Sequence, residues 1–222
     1  MPISPRHDKT DQISHSILTD GKEISAAIEV ISIHIKQKIN SADHAEIVIV
    51  DGHKAKKTFA VSSSNTFTPG SHIEIKLGYH NENESIFKGL IAKQVIVIED
   101  HMGSYLKVIC EGKDLNINDP SRSGGSFDIT SPPILEVQNG ATIDDLEIEL
   151  DAKHESSVLK KYRGTILFQG SAQAKINSMI QVKGLGDRFD GDFYISGVDH
   201  DVRAGQWFTE VHIGISLELI AK

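Results

Sequence analysis

His72-Ile-Glu-Ile-Lys-Leu77, Ile86-Phe-Lys-Gly-Leu-Ile91 and Tyr105-Leu-Lys-Val-Ile-Cys110 set apolar against polar residues with a period of two. That period turns one face of an extended strand toward a core and the other toward water. The middle stretch runs on into Val95-Ile-Val-Ile98, and the same alternation marks Ile31–Lys36 and Glu46–Val50. Asp51-Gly52, Pro69-Gly70, Asn81-Glu-Asn83 and Met102-Gly103 fall between these runs, where Gly, Pro or Asn supply the dihedrals of turns. Helical spacing is hard to find. The first half therefore reads as an antiparallel β-barrel or sandwich.

From Glu111 to Pro133 the alternation gives way to Gly, Ser, Asp and Pro, including Asp119-Pro-Ser-Arg-Ser-Gly-Gly-Ser126. A structureless stretch of that length sits better between domains than within one. The expected organisation is a first β-barrel domain with a polar N-terminal arm over 1–115, a linker over 116–133, and a second β-barrel domain over 134–222. Strands in the second half are read at Ile134–Val137, Leu146–Leu150, Gly164–Phe168, Met179–Lys183, Asp192–Val198 and Trp207–Ile213.

The halves read as diverged copies. His72–Gly78 aligns with Met179–Gly184, Ile86-Phe-Lys-Gly-Leu90 with Tyr194-Ile-Ser-Gly-Val198, and Tyr105–Ile109 loosely with Phe208–Ile213. Any β protein yields some such alignment, but glycine inside a strand marks a bulge or a close backbone approach. Residues 66–110 and 173–214 are thus expected to superpose, with Gly89 over Gly197. Both glycines are assigned structural roles.

The 222 residues are 39% hydrophobic and 24% charged, ordinary for a globular chain with a packed core. A formal charge of -8 provides no basic field for nucleic acid or an anionic membrane surface. Cys110 is the only cysteine, which rules out an intrachain disulfide and a thiolate cluster within one chain. The polar opening Met1–Gln12 lacks the apolar core of a signal peptide, and no apolar run approaches membrane-spanning length, so cytoplasmic synthesis is expected.

The search for chemistry finds no constellation of an active site, and no metal or cofactor is assigned. His34, His72 and His212 take outward strand positions. In Asp199-His200-Asp201 adjacent residues point to opposite faces, so at most one carboxylate shares a side with His200. Asp187-Arg-Phe-Asp-Gly-Asp192 has the wrong spacing for a calcium loop and reads as a hairpin with Gly191 at positive φ. Ser62-Ser-Ser64 and Gly170-Ser-Ala172 lack a nucleophile elbow. Glu147 and Glu149 share a strand face, which an exposed acidic surface explains as well as catalysis does.

The residues themselves carry a resemblance. Met1–Asp11, Ile17-Leu-Thr-Asp-Gly-Lys-Glu23, Val30–Ile33 and Ala45-Glu-Ile-Val-Ile-Val-Asp-Gly52 are similar to the start of VgrG-type spike proteins. So are Thr66-Phe-Thr-Pro-Gly70, Ile73–Tyr79 and Ile86–Gly89. Lys161–Gly170, Gly184–Gly191 and Val198-Asp-His200 resemble that family's second barrel. The matches span most of 1–110 and 132–216. The resemblance implies the baseplate hub of a contractile injection apparatus, as in type VI secretion, contractile phage tails and extracellular injection particles. Two homologous barrels per chain would assemble as a homotrimer with a pseudo-sixfold ring that adapts a hexameric inner tube to a trimeric spike. Spike, baseplate and effector proteins are the implied partners, and the particle is the implied vehicle of secretion. Family members carry a longer, partly helical region between the barrels and continue into an oligonucleotide-binding-like domain and a β-helical needle, so this chain is expected to hold the hub role without the spike. A secreted β-rich binding module without catalytic activity is the alternative, and a cell-wall hydrolase a third.

Overall fold

In the computed structural model, residues 12–52, 58–99, 103–112, 142–148, 162–184 and 190–214 are described. The expected linker, the strand expected at Ile134–Val137 and most of the loop before Gly191 lie outside them. The elements are β1 (Ile13–Thr19), β2 (Lys22–Glu23), β3 (Val30–Lys38), β4 (His44–Val50), β5 (His72–Tyr79), β6 (Glu82–Glu99) and β7 (Gly103–Gly112), then β8 (Thr142–Ile148), β9 (Tyr162–Gln169), β10 (Met179–Val182), β11 (Gly191–Arg203) and β12 (Gln206–Ile213). The class is all-β and antiparallel, as the alternation implies. Ile73, Ile75 and Leu77 on β5 are buried, while His72 at the start of the same strand is exposed.

Three hairpins close through two-residue turns. Asp20-Gly21, His80-Asn81 and Ala204-Gly205 all hold positive φ, the geometry whose twist matches that of the flanking strands. The turn expected at Asn81–Asn83 thus sits one residue earlier, and Glu82 and Asn83 belong to β6.

The strands form one sheet in the order β2-β1-β5-β6-β7-β4-β3-β11-β12-β9-β8, with β10 beside β11. Within it one pattern occurs twice. The first half runs β5-β6-β7-β4-β3 and the second β10-β11-β12-β9-β8, so five strands taken in chain order are paired identically. In each half the fourth strand is long and changes partner along its length. β6 pairs with β5 as far as Leu90 and with β7 as far as Glu99; β11 pairs with β10 as far as Tyr194 and with β12 as far as Arg203. Among the described residues no pairing closes either half into a barrel, since the path ends at β2 and β8.

The ladders correct the expected alignment. His72 pairs with Leu90 and Met179 with Tyr194, so Tyr194 is the counterpart of Leu90. The bulges agree: β6 carries an extra residue between Ile91 and Lys93, and β11 one between Ile195 and Gly197. Gly197 therefore lies over Lys93, four residues from where the sequence comparison sets it, and Gly89 over Phe193. The sequence alignment followed the glycines, whereas pairing follows the bulges, which side-chain type does not mark.

Each glycine has its own reason. A Cβ on Gly89 would lie 2.1 Å from the carbonyl oxygen of Glu111 on β7, a close backbone crossing that only glycine fits. At Gly197 the nearest neighbours would be the His212 ring at 3.1 Å, Gln37 O and Lys38 Cγ at 3.3 Å, beside the bulge. Gly191 does not hold the positive φ expected of it. It is the first residue of β11 and pairs with Val182, and nothing lies closer to its Cβ position than Phe193 at 3.9 Å. Among the described residues beside that connection, Gly184 holds a positive φ.

Two clusters of buried apolar residues lie under the sheet. One gathers Ile17, Ile33, Ile47, Phe67, Ile75, Phe87 and Leu106 with others of the first half; the second gathers Ile166, Phe168, Ile180, Phe193, Val198 and Val211. Each side chain fully buried contributes roughly 1.5–3 kcal/mol. Val202 and Trp207, from the end of the β11–β12 hairpin, belong to the first cluster.

Candidate functional site

The place where the two halves meet is a β-ladder. β3 pairs with β4 on one edge and with β11 on the other, from Gly197 opposite Lys38 to Arg203 opposite Ser32. Alternation in β3 buries Ile33 and Ile35 and leaves His34 and Lys36 exposed. On that outer face Lys36 Nζ of the first half lies 3.5 Å from Asp199 Oδ2 of the second, and His212 Nε2 reaches the same oxygen at 3.5 Å. Burial pushes the Asp199 carboxyl up, but the His212 hydrogen bond and the Lys36 charge outweigh it and hold it below its usual range.

On the inner face His200 is buried. Trp207 Nε1 donates to its Nδ1 at 3.4 Å and the Thr209 hydroxyl stands 3.0 Å from the same atom. Both contacts fit Nδ1 as acceptor, so the ring is neutral with its proton on Nε2, which has no hydrogen-bond partner. Burial pushes the imidazole down to about 4. The Trp207 ring also stacks at a tilt on Tyr79, centroid to centroid 5.3 Å, and the Tyr79 hydroxyl donates to the Gly170 carbonyl at 3.0 Å. A Cβ on Gly170 would lie 2.0 Å from the Trp207 ring. Residues of β5, β11 and β12, with Gly170 just after β9, thus interlock across the junction.

Asp199 and His200 point to opposite faces, as alternation requires. His34 and His72 are exposed, whereas His212 is half-buried against Asp199. Asp199, Glu210 and His212 offer ligand atoms within 4.8 Å of one another, the one such group among the described residues. Asp199 Oδ2 is already shared between Lys36 and His212. Ser62 and Ser64 serve a turn: the Ser62 N–H donates to Asp51 Oδ2 at 2.8 Å and the Ser64 hydroxyl to the Val61 carbonyl at 2.6 Å. An open cleft of about 930 Å³ runs between the His80-Asn81 turn and Ser171, walled by Glu82, Asn83 and Trp207.

Sequence reasoning placed Trp207 in a strand but did not find the ladder that gives it its neighbours. Six consecutive buried residues, Phe193 to Val198 with Ser196 and Gly197 among them, carry the signal that β11 is covered on both faces.

A protein-family model described as the Alg8 N-terminal domain matches residues 9–128 and 128–204. The chain belongs to that family. No curated protein matches it. Among solved structures, this Alg8 N-terminal-domain chain is similar to a tail protein from Neisseria meningitidis MC58, with a TM-score of 0.61 and 11% identity over 92% of this chain and 97% of that one. It is similar to a 43 kDa tail protein of prophage MuSo2 from Shewanella oneidensis, with a TM-score of 0.53 and 9% identity over 91% and 96%. It is also similar to an E. coli type VI secretion component described as resembling the T4 bacteriophage tail proteins gp27 and gp5, with a TM-score of 0.58 and 8% identity over 91% and 77%. At such identities the likeness is one of fold. Among the described residues no helix is long and apolar enough to cross a membrane.

Proposed function

We propose that this chain is a structural hub of a contractile injection apparatus of the phage-tail and type VI secretion kind. Three copies form a ring of six similar β units that adapts a hexameric inner tube to a trimeric spike. The observation that carries the reading is the repeated strand order, β5-β6-β7-β4-β3 and β10-β11-β12-β9-β8. Two equivalent units per chain let a threefold assembly present an approximately sixfold face to a tube, without six identical subunits. The fold shared with tail proteins and a type VI secretion component supports the same role. The units are taken as 1–115 and 134–222 with 116–133 between them.

The role is structural rather than catalytic. His200, His212 and Asp199 are engaged in the ladder between the halves, and Ser62 and Ser64 in a turn. Such a hub is delivered with its particle and contacts tube, spike and baseplate proteins through strand ends and loops on the ring's rims. Mixing the chain with the tube protein of its own apparatus tests this. Electron-microscope class averages are expected to show a threefold ring capped by a sixfold one. A chain that stays monomeric beside the tube overturns the proposal.

A further inference from the structure

The β3–β11 ladder joins the two units inside one chain, and the repeat implies that the same ladder has a second place to form. By the equivalence of the ladders, the counterpart of β3 is β8, and the counterpart of the β11 segment 197–203 is the β6 segment 93–99. β3 and β11 pair with each other. β8 pairs with β9 alone, and β6 beyond Ile91 pairs with β7 alone, so among the described residues each has an unpaired edge.

The side chains tell the same story. Val202, opposite Ile33 in the ladder, is buried, and its counterpart on β6 is Ile98, 67% exposed. His200 is buried, and its counterpart Ile96 is 47% exposed. Val95 is also exposed, so the described large apolar side chains left in water gather mostly on this one segment. Val95-Ile-Val-Ile98 is an unbroken apolar run, the pattern of a strand covered on both faces, yet here it carries a bare edge. A long apolar edge of this kind invites pairing with another strand.

We infer that the β6 edge over residues 93–99 is a docking site for a second copy of this chain, which adds its β8 as an antiparallel strand and so repeats the β3–β11 ladder between subunits. The inference rests on the ring reading and specifies its interface. Transferring the register of the internal ladder sets Ile98 opposite Ile143 of the partner subunit, Val97 opposite Asp144 of the partner subunit and Glu99 opposite Thr142 of the partner subunit. The contact is head-to-tail, since each copy offers both a β6 edge and a β8 edge, and such contacts close into a ring when the rotation allows.

Cysteine pairing in the full-length chain tests the register, because directly opposed strand residues hold their Cβ atoms close enough for a disulfide. Cys110 does not compete: it is buried, and burial pushes its thiol up to about 12. The variant carrying Ile98→Cys and Ile143→Cys is oxidised and run on a non-reducing denaturing gel, beside each single variant and beside Ile96→Cys with Ile143→Cys. Light scattering on the wild type runs in parallel. The expected result is loss of the monomer band to covalent three-chain species in the 98/143 variant only. A wild-type trimer whose 98/143 variant does not cross-link, or cross-links no better than 96/143, overturns this interface and leaves the ring standing. A wild type that does not oligomerise overturns both.

Discussion

The β11–β12 hairpin and the β6–β7 hairpin hold the same station in the same strand order and live in different surroundings. At the tip of the first, Val202 and Trp207 are 9% and 2% exposed because the other half of the chain covers them. In the second, Ile96 and Ile98 are 47% and 67% exposed. The difference is one strand: β3 lies beside β11, and nothing among the described residues lies beside the corresponding part of β6. A side chain is core or surface here according to whether a neighbouring unit supplies that strand. In the proposed ring, assembly is completion of an existing sheet rather than a separate surface with chemistry of its own.

The glycines of the two long strands give the largest contrast. Gly89→Val drives a side chain into the backbone of β7, whose carbonyl cannot move without breaking the ladder, so a loss above about 3 kcal/mol or failure to fold is expected. Gly197→Val meets mainly a histidine ring and a lysine stem, which can shift, and a loss of about 1–2 kcal/mol is expected. Urea unfolding of both variants measures the difference. Equal losses would mean that the crossing at Gly89 does not constrain the fold.

The second contrast is in acid. His200 in the inner face of the ladder has its folded pKa lowered, so the unfolded chain takes up a proton that the folded chain refuses. Its neutral form favours the fold fully above the ordinary histidine pKa. Stability then falls as pH drops from about 6.5 toward 4, by roughly 3 kcal/mol in all. The counterpart on β6 is Ile96, which does not titrate. Melting temperatures of the wild type and of His200→Gln across this window check the sign: the wild-type slope should be steeper, and parallel profiles would remove His200 from the account.

Much of this architecture was legible in the residues. β5 and β12 alternate so regularly that extent and buried face follow from sequence alone, and the repeat was visible in the order of strands and turns. What was not legible followed from partners distant in sequence. β1 was not read as a strand because Ile13-Ser-His-Ser-Ile-Leu18 is polar over its first half, and it is held by its full register against β5. The four-residue slip between Gly89 and Gly197 arose because bulges leave no compositional mark. His200 was read as a strand histidine with one possible carboxylate neighbour; what buries it is Trp207 beside it and β3 across the seam, a pairing more than 150 residues apart in the chain.

The smallest effect on stability is expected where the effect on assembly is greatest. Ile98→Asp alters an exposed side chain of the isolated chain and should change unfolding free energy by no more than about 0.5 kcal/mol. In the assembly it sets a charge inside a closed ladder, which costs several kcal/mol when unpaired. The two quantities separate on this one residue, whereas Val202→Asp, at the equivalent position of the covered hairpin, should unfold the chain.

The measurement that meets the central claim most directly is the solution mass of the purified chain by sedimentation velocity, wild type beside Ile98→Asp. The account predicts a wild-type species of three times the 24.3 kDa chain mass and a folded Ile98→Asp monomer. A wild type that sediments as a monomer or a dimer contradicts it.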